Sequence, residues 1–280
     1  MCWNRVAGVR CWIALAAVLA WLWPRVGAGP VSSDPSVASN ATPARVLQEP
    51  PLEWIMAGRH VYERQCLVCH GKWGDGRGEL SVGMVPKPRR LTSGVFKYRS
   101  TPSGFLPTDA DLERSIRTGV AGTSMPSFAA LPDRDVRSVV TYLKTLSSRW
   151  RKATHYAASV RLPSPPEWME DPGRREFHAR NGATLFASLC APCHGIDGAG
   201  KGPAAASLED QWGEPSPPTD LRQPLSRSGP DWIDLYRTLT TGLDGTPMAS
   251  FAETTTEGDR WDLVAFIRAR KEELQKGTKP

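Results

Sequence analysis

Two copies of the motif Cys-x-x-Cys-His constrain this 280-residue chain more than any other feature of its sequence. The first is Cys-Leu-Val-Cys-His at residues 66–70, and the second is Cys-Ala-Pro-Cys-His at residues 190–194. The chain has six cysteines, and the remaining two, Cys2 and Cys11, lie near its N-terminus. Every cysteine after residue 11 therefore belongs to one of the motifs. None is left for a structural disulfide or for a separate nucleophile.

The chemistry of this motif is specific. Two thiols separated by two residues on a helical turn can reach the two vinyl groups of one haem, and the adjacent histidine then lies beneath the iron. A zinc site would need further thiols or histidines at ligand spacing, and a redox dithiol would need a βαβ context that is absent here. The sequence therefore predicts two haem c groups. The predicted attachment and proximal ligand residues are Cys66, Cys69 and His70 in one motif and Cys190, Cys193 and His194 in the other.

Both motifs lie in an internal repeat with an offset near 124 residues. In each half a glycine stands eight positions before the first cysteine, and an aromatic residue, Tyr62 or Phe186, stands four positions before it. Residues 70–78 align without gaps with residues 194–202, and residues 112–128 align with residues 235–251. Each half ends in an amphipathic helical pattern, at residues 133–146 and 258–274. The repeat predicts two domains of the same fold.

The order of features in each half resembles the class I cytochrome c family over nearly all of residues 51–275. An aromatic residue precedes C-x-x-C-H-G, and a glycine-rich stretch, a Gly-Thr-x-Met-x-Ser-Phe loop and a final helix follow. The resemblance implies an all-α fold of two tandem cytochrome c-like domains, each with a few helices wrapped around a covalently bound haem. It also implies that the loop methionines are the second axial iron ligands. These are Met125 and Met248, which follow their histidines by 55 and 54 residues.

The resemblance also suggests residues around each haem. In the family a proline carbonyl after the haem motif often accepts a hydrogen bond from the proximal imidazole, and Pro88 and Pro218 are the matching candidates. Ordinary loop prolines are the alternative. Four further residues at matching positions are expected to pack around the haem or between helices: Leu91, Leu221, Tyr62 and Phe186.

Charged residues leave several interpretations open. A basic cluster between the first haem motif and Met125 could pair with haem propionates, form a docking face for an acidic redox partner, or lie in a solvated loop. The spare histidines, His60, His155 and His178, are expected at the surface. The basic cluster consists of Lys87, Arg89, Arg90, Lys97 and Arg99.

The N-terminus has the pattern of an export signal. Arg5 and Arg10 form a basic segment before an apolar run at residues 11–23. This run is short for a membrane-spanning helix, and cleavage of the signal is expected after Ala28. An uncleaved anchor is the alternative, and it would be the chain's only membrane contact. The expected organisation is a signal peptide at residues 1–28, a flexible lead-in at 29–50, a cytochrome c domain at 51–147, a linker at 148–175, a second domain at 176–275 and a tail at 276–280.

A functional expectation follows from the predicted ligands. A His/Met pair fills both axial positions of the iron, and the thioether raises its reduction potential. The expected protein is a periplasmic electron carrier between respiratory redox proteins, with a dehydrogenase or quinol-oxidising complex as donor and an oxidase or reductase as acceptor. The alternatives are a peroxidase-like dihaem enzyme and a fixed subunit of a membrane respiratory complex. Nucleic acid is not an expected partner, because the charge without the signal is only 32 − 29 = +3.

Overall fold

The computed structural model of the protein describes residues 49–223, 226–229 and 231–277. The predicted signal peptide and most of the predicted lead-in and tail lie outside these residues. Within them the regular elements are helices, accompanied by two isolated β-bridges and no strand, so the all-α expectation is confirmed. The α-helices are α1 (Leu52–Gln65), α2 (Leu67–His70), α3 (Asp109–Thr118), α4 (Asp133–Thr145), α5 (Pro172–Leu189), α6 (Ala191–His194), α7 (Trp232–Thr241) and α8 (Glu257–Gly277).

The internal repeat is visible in the packing of these helices. In the first half α1 packs on α4, and in the second half α5 packs on α8. The backbones approach closely at one glycine in each pair. A Cβ atom placed on Gly58 would lie 1.9 Å from the carbonyl oxygen of Ser138, and one on Gly182 would lie 2.0 Å from that of Asp262. Each crossing therefore requires a residue without a side chain.

Helices α4 and α8 contribute to the two hydrophobic cores, α4 through one face and α8 through an almost continuous buried stretch at residues 260–267. In α4 the buried residues Val136, Val139, Val140 and Leu143 recur at the three- and four-residue spacing of one helix face. The last helix of the second half buries Trp261, which stacks on Tyr236 with ring centroids 4.5 Å apart. Among the helices that the structure describes, none combines the length and apolar character that a membrane span requires.

Each half has a short helix, α3 or α7, that precedes the predicted methionine loop and is fixed at its start by an aspartate. Asp111 accepts a hydrogen bond from the backbone N–H of Thr108 at 3.0 Å, and Thr108 accepts one from the backbone N–H of Asp111 at 3.2 Å. In α7 the equivalent Asp234 accepts from the backbone N–H of Asp231 at 3.1 Å. These contacts satisfy helix N–H groups that would otherwise lack partners.

The predicted linker is ordered and partly helical. Three short 3₁₀ helices occupy Ser148–Arg151, Ala153–His155 and Glu167–Glu170. Trp150 is buried in the first core and Met169 in the second. Helix α5 begins at Pro172, within the predicted linker. Asp171 caps it, because its side chain accepts hydrogen bonds from the backbone N–H groups of Gly173 and Arg174.

Candidate haem sites

In the second half, one cavity of about 220 Å³ brings together the residues predicted for the second haem. Cys193 and His194 on α6, and Cys190 directly before it, contribute to its wall, and the loop after α7 contributes Met248. Pro218 and Leu221 also line it. These residues are far apart in the sequence, so their spacing alone does not show that they line one cavity.

The other walls of this cavity suit a haem. Apolar side chains such as Phe186, Leu239 and Ile267 line it, and so do the cationic side chains of Lys97 and Lys271. A haem has an apolar macrocycle and two propionate carboxylates, and an apolar wall with cationic side chains matches both parts. Two thiols, an imidazole and a thioether on the same cavity complete the set of groups that haem c requires.

Both proximal histidines are oriented by a backbone carbonyl. The Nδ1 atom of His70 lies 2.9 Å from the carbonyl oxygen of Arg89, and that of His194 lies 3.1 Å from the carbonyl oxygen of Thr219. When Nδ1 donates to these oxygens, Nε2 is the ring nitrogen that remains available to bind iron. The same arrangement in both halves supports the predicted role of these histidines.

The prediction that Pro88 and Pro218 supply these acceptor carbonyls is wrong, because the acceptor is the next residue in each half. The two proline carbonyls instead approach glycines of the preceding loop. A Cβ atom on Gly76 would lie 2.7 Å from the oxygen of Pro88, and one on Gly200 would lie 2.6 Å from that of Pro218. The prolines therefore shape the loop, and Pro218 contributes its surface to the second cavity.

Burial changes the protonation of the motif residues. It lowers the pKa of both His70 and His194, which favours the neutral imidazole that binds metals. It raises the pKa of the Cys66 thiol to about 11 and that of Cys190 to about 12. A redox-active thiol usually has a lowered pKa, and Cys66 and Cys190 do not have that character.

The first half places its predicted residues on the equivalent elements. Cys69 and His70 lie on α2, Cys66 directly precedes it, and Met125 lies in the loop after α3. In the first half, the predicted haem residues are supported by hydrogen bonds that repeat those of the second half. In the second half, they are also supported by the cavity that they line.

The two methionine loops are closed by matching hydrogen bonds. In each loop the threonine hydroxyl of the Gly-Thr-x-Met motif accepts a hydrogen bond from the methionine backbone N–H. The methionine carbonyl in turn accepts a hydrogen bond from the backbone N–H of the second residue after the preceding helix. The sequence motif contained these threonines, but their positioning role was not predicted. The pairs are Thr123 with Met125 at 3.2 Å, Thr246 with Met248 at 3.2 Å, Val120 with Met125 at 3.1 Å and Leu243 with Met248 at 2.9 Å.

The residues expected to pack near the haems or between helices are buried or line the cavity. Leu91 belongs to the first core, whereas Leu221 and Phe186 line the second cavity. Tyr62 is fully buried, and its hydroxyl donates a hydrogen bond to the carbonyl of Gly71 at 2.7 Å. This bond ties α1 to the residue that follows the first haem motif.

The basic cluster lies only partly at the surface: Lys87 is exposed, whereas Arg89, Arg90 and Lys97 are half-buried. Arg99 is fully buried, Lys97 lines the second cavity, and the guanidinium of Arg89 lies 4.8 Å from the ring centroid of Trp212. The solvated-loop and docking-face interpretations are therefore wrong for Arg99, whereas for Arg89 and Lys97 they stay predictions. Residues of the second half pack against the basic cluster. The sequence of the cluster does not indicate that contact.

The spare histidines differ in their surroundings. His60 is exposed as expected, and His155 is half-buried. His178 does not fit the surface expectation, because its Nδ1 lies 2.6 Å from Oδ1 of Asp262 and its ring stacks on Trp168 at 3.6 Å. These contacts hold the imidazole between the linker and α8.

Comparison with known proteins agrees with the two-domain arrangement. Residues 179–271 match the family model of cytochrome c, and residues 54–143 match that of cytochrome c oxidase, cbb3-type, subunit III. A chain of the Kuenenia stuttgartiensis reducing HAO-like protein complex is 37% identical to this one. The similarity covers 76% of this chain and 95% of that chain, with a TM-score of 0.70. No curated protein matches this chain by sequence.

Proposed function

Because the chain belongs to the class I c-type cytochrome family, in a form with two tandem domains and two covalently bound haem c groups, we propose that it carries single electrons between redox proteins. Haem c supplies reversible one-electron exchange between ferric and ferrous iron when bound. The observation that carries the proposal is the cavity on which Cys190, Cys193, His194 and Met248 converge.

The residues of each domain have distinct roles in this proposal. The motif cysteines would attach the haem, and the motif histidine together with Met125 or Met248 would hold its iron. The carbonyls of Arg89 and Thr219 orient the imidazoles through Nδ1. Because a histidine and a methionine would together hold each iron, the chemistry that these residues would support is electron transfer in preference to peroxidase-like turnover.

We place the protein in the periplasm, where the predicted signal peptide would deliver it. Its partners in this proposal are a dehydrogenase or quinol-oxidising complex as donor and an oxidase or reductase as acceptor. The likeness to a chain of a reducing HAO-like protein complex favours a second form of the same function, in which the chain is the electron-transfer subunit of a larger redox assembly. An intact mass that still includes residues 1–28 would contradict the cleavage part of this proposal.

A redox titration of the holoprotein, followed by visible absorption, tests the proposed ligation. Met125→Ala and Met248→Ala are each expected to remove about half of the sulfur-to-iron charge-transfer band and to lower one of two reduction potentials by on the order of 100 mV. Met56→Ala is the control, because Met56 is 53% exposed on α1 and lies in neither motif.

Unchanged potentials in either loop variant would show that the ligand assignment is wrong. Turnover of peroxide by the unmodified holoprotein at enzymatic rates would favour the haem-enzyme alternative instead.

A further inference from the structure

The two methionine loops differ at one position that bears on the second haem site. The loops align with an offset of 123 residues, and Ala121 in the first corresponds to Asp244 in the second. Asp244 lies four residues before Met248, and its side chain is only 14% exposed. A carboxylate that is buried to this extent needs hydrogen-bond donors or a cation close by.

Those donors come from the first domain. Arg99 Nη2 lies 2.7 Å from Oδ1 of Asp244, and the Ser103 hydroxyl donates to the same oxygen at 2.7 Å. The backbone N–H of Gly104 donates to Oδ2 at 2.8 Å. Charge-assisted bonds with several donors on one carboxylate are among the stronger contacts that a protein can form.

Arg99 also holds the end of the helix that precedes this loop. Its Nη2 donates to the carbonyl oxygen of Thr241 at 2.6 Å, and Thr241 is the last residue of α7. The Arg99 side chain has no exposed surface, so it cannot exchange these partners for water without moving the chain around it. One buried side chain thus joins the end of α7 to the loop that carries Met248.

The same segment of the first domain also lines the second cavity. Lys97 and Tyr98, which directly precede Arg99, are part of the wall that includes Met248 and His194. The reciprocal contact with the first methionine loop is much slighter. Among the described residues, it is represented by a hydrogen bond of 3.4 Å from Arg227 to the carbonyl of Gly122.

We propose that residues 97–104 of the first domain are a positioning element of the second haem site. Through Asp244 they hold the loop that presents Met248, and through Lys97 and Tyr98 they close the cavity. The inference rests on the proposed iron ligation by Met248. A thioether is a neutral ligand on a mobile side chain, so its occupancy at the iron depends on how firmly its loop is held. Met248 therefore depends on contact between the domains more strongly than Met125 does.

The experiment measures how readily each methionine leaves the iron. The oxidised holoprotein is titrated to high pH, and loss of the sulfur-to-iron charge-transfer band gives the midpoint of methionine dissociation. In a Met125→Ala background only the second haem contributes to this band. Asp244→Ala, which introduces the residue of the first loop, is expected to lower the midpoint by about one pH unit, or about tenfold in the dissociation equilibrium.

Two further variants separate positioning from general destabilisation. Ser103→Ala removes one donor without disturbing a buried charge, and it should lower the midpoint in the same direction by a smaller amount. Asp262→Ala is the matched control, because Asp262 lies in the same domain, is 13% exposed and pairs with His178. It should leave the midpoint unchanged. In a Met248→Ala background, Asp244→Ala should leave the band of the first haem unchanged.

The possible failures are distinguishable. If Met248→Ala leaves the second haem's band intact, the ligand assignment is wrong and the inference is overturned with it. If Met248→Ala removes the band but Asp244→Ala and Ser103→Ala leave the midpoint unchanged, only the positioning role is wrong. An equal shift from Asp262→Ala would also overturn it, since the effect would then be loss of stability in the whole domain.

Discussion

Gly58 and Gly182 occupy the same place in the two domains, where the first long helix crosses the last. At both positions an added Cβ would overlap a backbone carbonyl oxygen, at 1.9 Å and 2.0 Å. A backbone oxygen cannot rotate away as a flexible side chain can, so relief would require the helices to move apart. At the scale of single residues, these glycines determine how closely each domain can pack.

Replacing either glycine by alanine is expected to destabilise the protein by about 3 kcal/mol or more, because the clash outweighs the better helix propensity of alanine. Chemical unfolding of Gly58→Ala and Gly182→Ala measures this. Gly173→Ala is the control, since Gly173 lies in the first turn of α5 with only ordinary contacts, and it should be neutral or slightly stabilising. Equal effects at all three positions would contradict the close-approach argument.

At the scale of helices, α3 depends on Asp111, which is 1% exposed. Burial by itself would raise the pKa of Asp111, but hydrogen bonds from Ser100 and Thr108 and the charge of Arg114 outweigh it and hold the pKa below its ordinary value of 3.8. The charged form is therefore the one that the fold stabilises. It ties the helix start to the loop before it.

Because the pKa of Asp111 is lower in the folded state, its contribution to stability is present above pH 3.8 and is lost as the pH falls through the folded-state pKa. Asp111→Asn should cost about 2 kcal/mol at pH 7, and the difference from the unmodified protein should shrink below pH 3.8. Unfolding free energies over this pH range measure the loss.

Asp109→Asn is the control: replacing this 58%-exposed carboxylate in the same helix should cost about 0.5 kcal/mol or less. A constant deficit across the pH range would contradict the prediction.

At the scale of the whole molecule, each domain supports the other's haem site. The first domain holds Asp244, as described above. In return, Trp212 of the second domain lies against the guanidinium groups of Arg89 and Arg90, at 4.8 and 5.3 Å from its ring centroid. The carbonyl of Arg89 is also the one that orients His70. Trp212 therefore packs on the side chain of the same residue whose carbonyl meets His70.

Trp212→Ala is expected to cost about 1 to 2 kcal/mol, because two cation–π contacts are lost and Arg89 is left without its ring partner. It should also speed hydrogen exchange at the Nδ1–H of His70, while that of His194 stays unchanged. NMR of the holoprotein measures both sites. Trp73→Ala is the control, since Trp73 is 69% exposed and its ring centroid lies 5.0 Å from Nζ of Lys72. An unchanged His70 signal would contradict the proposed support.

The sequence by itself determined the fold class, the duplication and the helical patterns of α4 and α8. Spacing along the chain is a local property, and both covalent haem attachment and helix amphipathicity are expressed in it. The methionine loops were also recognisable, because Met125 and Met248 recur at the same place in two Gly-Thr-x-Met-x-Ser-Phe segments.

Only the tertiary structure decided which carbonyl meets each imidazole, since every residue has a carbonyl and the sequence does not distinguish Pro88 from Arg89 in this respect. It also decided that Arg99 is buried against Asp244, a contact between residues 145 positions apart in the sequence. A charged residue in a segment rich in cations has the same pattern whether water or another domain covers it. Burial of charge is a property of the assembled domains, and for that reason the asymmetry between the two haem sites became apparent only in the fold.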